Sequence, residues 1–169
     1  SVRDGLSLLD QAISHGAGKV SAEQVRDMLG LADRALIFDL YDLLMKGDIA
    51  AALTLFADQY SSGADPLIVV QDMLDLTHWL TRLKAAPDAA SENAPEAERI
   101  RGGEMATSLR MAVLTRNWQM LLKGLGEIEQ APDSRQAAEM LFIRLAYASE
   151  LPDPAEALRT LSSGGTIPA

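Results

Sequence analysis

Cysteine does not occur in this chain of 169 residues, which excludes disulfides and zinc sites built on thiolates. Histidine occurs only at His15 and His78, and neither has a second ligand at helical spacing beyond ordinary acids, whereas a zinc ion draws three or four. Aromatics are scarce, with three Phe, three Tyr and two Trp, which leaves little for base stacking. Basic runs are absent too. The 15 Lys and Arg stand scattered among 24 Asp and Glu, for a net charge of -9. A protein that grips nucleic acid presents a basic patch to the phosphates, so no direct nucleic-acid contact is expected. No apolar run approaches the roughly 18 residues of a spanning helix, and no secretory leader is legible. The chain reads as cytoplasmic, without a membrane partner.

What is present is helix, clearly punctuated. "SVRDGLSLLDQAIS" places Leu6, Leu9 and Ile13 on one stripe, widened by Leu8 and Ala12. It opens in mid-helix, as if cut from a longer chain, and ends at "SHGAGK". A capping box, Ser21 with Gln24, starts a second helix that closes at Gly30. A third begins near Asp33, carries Leu36, Ile37, Leu40, Tyr41, Leu43 and Leu44, and stops at Gly47. Asp48 caps a fourth that runs to Gly63, and Asp65-Pro66 starts a fifth over 65–84. The composition of 85–103, rich in Ala, Pro, Ser and acid, predicts an exposed loop with a short helix at 96–101. A sixth helix spans 108–129 with a break near Thr115, a seventh starts at Asp133 or Ser134, and Asp153-Pro154-Ala155-Glu156, one more capping box, opens a short last one. Nothing alternates with a strand period. The fold class is all-α, a bundle of about seven to eight helices with short links.

Two helices carry more apolar surface than one neighbour covers. In the fifth, Val69, Met73, Leu76, Leu80 and Leu83 form a seam with alternating steps of four and three, broadened by Val70, Leu74 and Trp79. The seventh is apolar nearly all round, because Phe142, Ile143 and Tyr147 supplement Ala137, Met140, Leu141, Leu145 and Ala148. Such a helix lies at the centre of a bundle or at a subunit interface. Val69, Met73, Leu76, Leu80, Phe142, Ile143 and Tyr147 are therefore the interface candidates.

Catalytic patterns fail on inspection. "GAGK" at 16–19 lacks the upstream glycine of a phosphate loop, since Ile13 stands there, and Val20 replaces the Ser or Thr that should follow. Asp72 and Asp75 lie three apart on a helix but face no second acidic motif. Arg3 beside Asp4 reads as a surface pair, yet an arginine at a helix N-terminus is also placed to meet phosphate.

"SVRDGLSLLDQAI", then "VRDMLGLAD", "NWQMLLKG" at 117–124 and "RQAAEMLFIRLAYA" at 135–148 resemble the gamma/tau ATPase subunits of the bacterial DNA polymerase III clamp loader. The resemblance covers most of the chain and is weakest at 85–108 and after 150. It implies that 1–31 end an AAA+ helical lid, that 32–160 form a helical collar that holds the loader's subunits together, and that 161–169 are a flexible tail. Arg3 then matches the sensor-2 arginine that reaches ATP phosphates from the lid. The phosphate loop, Walker B acids, arginine finger and zinc-binding cysteines would lie upstream, so ATP, Mg and zinc belong to that part, and this segment would hold no cofactor and no catalytic residue of its own. The implied partners are copies of this chain and other clamp-loader subunits, and the implied role is oligomerisation during DNA replication in the bacterial cytoplasm. The rival reading, an α-helical adaptor or repeat scaffold unrelated to replication, calls for a period of about 34 residues. The Gly-Asp turns at 30–33 and 47–48 do not recur at a fixed spacing.

Overall fold

The computed structural model of the protein describes residues 21–90 and 93–165, apart from the side chains of 26, 27, 31 and 32. Every regular element among them is a helix. Ser21 starts α1 (Ala22–Met45) as a complete capping box: its hydroxyl accepts the Gln24 N–H, and the Gln24 side chain accepts the Ser21 N–H. Contrary to expectation, α1 does not end at Gly30. Glycine inside a helix costs about 1 kcal/mol relative to alanine, but it ends one only by turning left-handed, and Gly30 does not. The following turns are held by Ile37, Phe38, Leu40, Tyr41 and Leu44, all buried. Two expected helices are thus one of 24 residues, and position 31/32 lies inside it.

The next boundaries follow the sequence. Gly47 (φ 75°) and Gly63 (φ 100°) take the left-handed conformation just past α1 and α2 (Ile49–Ser61). Asp48 caps α2 by accepting the Ala51 N–H at 3.2 Å, and Asp65 caps α3 (Pro66–Ala85) by accepting that of Leu67 at 2.9 Å.

The region 85–108 is more ordered than its composition suggests. A single turn, α4 (Pro87–Ala90), precedes α5 (Glu96–Ser108), which continues seven residues beyond the expected end at 101. Tertiary packing overrides two adjacent glycines here, because Gly102, Met105 and Ala106 are buried. The sixth helix of the sequence reading begins later, as α6 (Met111–Gln130), and is unbroken at Thr115. There the Thr115 hydroxyl donates back to the Met111 carbonyl at 3.0 Å. Asp133 caps α7 (Ser134–Ser149), and Asp153 caps α8 (Pro154–Ser162). Only half of the expected box forms at α8. Asp153 accepts the Glu156 N–H at 2.7 Å, while the Glu156 carboxylate is taken by Arg110 at 2.8 Å.

The result is an all-α bundle of eight helical elements among the described residues, one of them a single turn. Helix α3 is its axis and packs against α1, α4, α5, α6 and α7. Helix α7 closes the other side, touching α1, α2, α3 and α6. Phe56 of α2 meets Phe142 of α7 edge-on, with ring centroids 4.9 Å apart, an arrangement that favours the ring quadrupoles. Where α6 crosses α7, Gly124 lies directly against Leu141.

One polar chain runs through this core. Tyr41 Oη lies 3.0 Å from Thr77 Oγ1 and accepts a hydrogen bond from Asn117 Nδ2 at 3.0 Å. Thr77 Oγ1 is also 2.8 Å from the Met73 carbonyl. A threonine hydroxyl has one proton, so Thr77 gives it to Met73 and receives the proton of Tyr41. The chain ties α1, α3 and α6 together at one level. Burial raises the Tyr41 pKa above its ordinary value, against the opposing hydrogen bonds of Thr77 and Asn117.

Candidate interaction surface

Most of the interface candidates are in the core. Val69, Met73, Leu76, Leu80 and Phe142 are buried by the chain's own helices, so the expectation that they offer surplus surface is corrected. The seam on α3 looked too wide for one partner because it has several, with α1, α5, α6 and α7 arranged around it. Ile143 is half-buried. Tyr147 alone among the candidates faces solvent, 58% exposed. Arg3, His15 and the "GAGK" stretch lie outside the described residues.

Exposed apolar side chains gather elsewhere. On α6, Met111, Trp118 and Leu122 point outward at spacings of seven and four, one face of a helix. Met140 and Tyr147 share an outer face of α7. Helix α8 is mounted with its apolar face away from the bundle. Leu158 is 67% and Leu161 57% exposed, while Glu156 and Thr160 on the opposite side are partly covered. Arg110 fixes this orientation, because its Nη1 lies 2.8 Å from both Asp153 Oδ2 and Glu156 Oε2. The N–H of Glu156 bonded to Asp153 holds that carboxyl below its usual pKa.

At the far side of α1 lies a groove of about 740 Å³ between α1, the turn after α2, and the start of α3. Its rim carries Asp33, Asp58, Asp65 and Asp72, and Leu36 and Ile68 line it while remaining exposed. Gln59 also lines it. That residue is more than nine-tenths buried, and its Oε1 has no hydrogen-bond partner among the described residues. Burial raises the Asp72 pKa above the ordinary carboxylate value; nearby Arg34 opposes the shift, and Asp75 and Asp33 add to it.

No group of three or more His, Asp or Glu suited to a metal ion occurs among the described residues. Asp72 is half-buried in the groove wall and Asp75 is exposed, and exposed His78 lies beside the Trp118 ring at 6.2 Å. No helix among the described residues is long and apolar enough to cross a membrane. The arrangement is suited to binding through surfaces. Sequence reasoning missed the groove, which three separate segments assemble. It also missed the outward leucines, although the spacing of Leu158 and Leu161 opposite Glu156 and Thr160 is visible in the sequence.

Comparison with known proteins adds the lineage. A family model described as DNA polymerase III subunits gamma and tau domain III matches residues 20–161. The chain is 32% identical over 155 residues to DNA polymerase III subunit tau of Escherichia coli (strain K12), covering 91% of this chain and 24% of that protein. It is 35% identical over 153 residues to DNA polymerase III subunit gamma/tau of Mycobacterium tuberculosis (strain H37Rv), covering 88% and 26%. Identity to DNA polymerase III subunit gamma of Buchnera aphidicola subsp. Acyrthosiphon pisum is 28% over 148 residues, 88% of this chain and 41% of that one. The chain spans about a quarter of the length of the tau relative.

Proposed function

The chain belongs to the domain III family of the DNA polymerase III gamma and tau subunits, and on that premise we propose that it is the segment through which clamp-loader ATPase subunits associate. The observation that carries this reading is the solvent-facing apolar surface on α6, α7 and α8, at Met111, Trp118, Leu122, Met140, Tyr147, Leu158 and Leu161. Large apolar side chains grouped on the outside of a small domain mark surfaces that another protein covers. The partners are copies of this chain and the other subunits of the loader. An acidic surface with net charge -9 suits a part that leaves DNA to other modules. The place of action is the bacterial cytoplasm.

ATP and its magnesium belong, in this reading, to the ATPase module that precedes the segment in the subunit, as does the zinc. Arg3 is the one nucleotide contact assigned to the segment, through a lid that closes on phosphate. Arg3→Ala in the full-length subunit should weaken ATP-dependent clamp loading and leave subunit assembly intact. Loss of assembly with unchanged ATP hydrolysis would make Arg3 a structural residue.

Sedimentation equilibrium tests the association. The chain should pass between a monomer and a small oligomer as its concentration rises, and added salt should favour the oligomer by screening the repulsion of two acidic bodies. A strict monomer at high micromolar concentration in moderate salt would overturn the reading.

A further inference from the structure

We propose that α8 of one copy docks in the acidic groove of a second copy, setting Leu158 and Leu161 on Leu36 and Ile68 and bringing Arg159 to the aspartates at the rim. This deepens the self-association reading and rests on it. The argument is complementarity between two features that the same molecule leaves open. An amphipathic helix normally hides its apolar face, yet α8 turns Leu158 and Leu161 to solvent, held there by Arg110. Its own acids, Asp153 and Glu156, are occupied by that arginine. Arg159, exposed and within coulombic reach of Asp153, is the helix's remaining charge.

The groove offers the converse. Exposed Leu36 and Ile68 supply apolar surface, Asp33, Asp58 and Asp72 supply negative charge, and about 740 Å³ leaves room for several side chains. The buried Gln59 Oε1 in its wall lacks a donor among the described residues, and a guanidinium carries five N–H donors. Asp33 and Asp75 both act against the charged form of Asp72, with Arg34 alone opposing them, so a further cation at the rim is favoured.

The helix of the same chain is badly placed to fill its own groove. Asp33 lies at the middle of α1 and Leu36 one turn further on, whereas Ser149 Oγ, just before α8, lies 3.2 Å from the Leu44 carbonyl near the C-terminal end of α1. Eleven residues of helix separate Asp33 from Leu44, about 16 Å. A contact between two different surfaces is heterologous, so it propagates from copy to copy and closes into a ring when the rotation permits.

Sedimentation equilibrium of the 169-residue chain decides the matter with two variants. Leu158→Glu/Leu161→Glu removes the helix's apolar face, and Ile68→Glu removes the groove's. All three positions are exposed, and unchanged circular dichroism and melting certify the fold. Each variant alone should lose association by about tenfold or more in dissociation constant, as burying a leucine or placing a charge there requires. Mixed together, they should form a one-to-one dimer, because each supplies the surface that the other lacks. If both variants associate like the wild type, or if the mixture stays monomeric, this pairing fails while self-association stands. A monomeric wild type overturns both.

Discussion

The indole of Trp79 on α3 occupies the space that a Cβ at position 102 would need. Gly102 on α5 is therefore fixed by a close approach between helices, and Trp79 is fixed in turn by its Nε1–H bond to the Ala90 carbonyl at 3.1 Å. One contact thus orders α3, α4 and α5 together.

Gly102→Ala should destabilise the chain although alanine is the better helix former. The rigid indole must shift and strain its bond to α4, at a cost of about 1–3 kcal/mol for overpacking, which exceeds the gain in helix propensity of about 1 kcal/mol. Urea unfolding followed by tryptophan fluorescence would show a lower midpoint. An unchanged or higher midpoint would mean that the indole has room to move.

Tyr41→Phe should lower stability by about 1–2 kcal/mol, because Asn117 loses its acceptor and Thr77 its donor inside the core. The same residue sets an alkaline limit. Its folded pKa is raised above the unfolded value of 10.0, so the contribution is whole below that value and is lost as pH rises toward the folded pKa. Urea midpoints from pH 9 upward should fall more steeply for the wild type than for the Phe variant. Parallel curves would show that Tyr41 is not the group responsible.

Asp72→Asn should stabilise the chain at neutral pH. The Asp72 pKa is raised above the ordinary carboxylate value, first by burial, so ionised Asp72 favours the unfolded state, and its favourable protonated form exists only at acid pH. Melting temperatures should be higher for the variant at pH 7, with the gain disappearing below about pH 4. A variant less stable at pH 7 would assign Arg34 the larger influence on this carboxylate.

Arg110→Ala should free α8 while leaving the bundle intact. No residue of α8 is buried, so the ion pairs to Asp153 and Glu156 are its main side-chain tie to the rest. Hydrogen exchange of the amides in 157–163 should accelerate several-fold, with the global unfolding midpoint unchanged. Exchange at the wild-type rate would show that backbone capping alone holds the helix.

The isolated chain should not bind ATP measurably. One charged contact from Arg3 contributes no more than about 3 kcal/mol, whereas micromolar affinity needs about 8. Isothermal titration giving a micromolar dissociation constant would contradict the division between this segment and an upstream ATPase module.

Most helix starts and stops are legible in the residues around them. Ser21, Asp48, Asp65, Asp133 and Asp153 cap them through side-chain oxygens, and Gly47 and Gly63 end two of them by turning left-handed. These are local events, settled by neighbours three or four residues away, and the spacing of apolar residues adds the all-α class. Tertiary structure decided whatever depends on distant partners. Gly30 sits within α1 because the residues after it are buried, and α5 crosses Gly102 and Gly103 because Trp79 needs the gap. The sequence marked Val69, Met73, Leu76, Leu80 and Phe142 as apolar, but only the arrangement of four helices around α3 made them core. Leu158 and Leu161 look no different in the sequence, yet they face water, because Arg110, more than forty residues earlier, holds the opposite side of their helix. A side chain's apolarity is written in its own residue, whereas its burial depends on which other segments come to cover it.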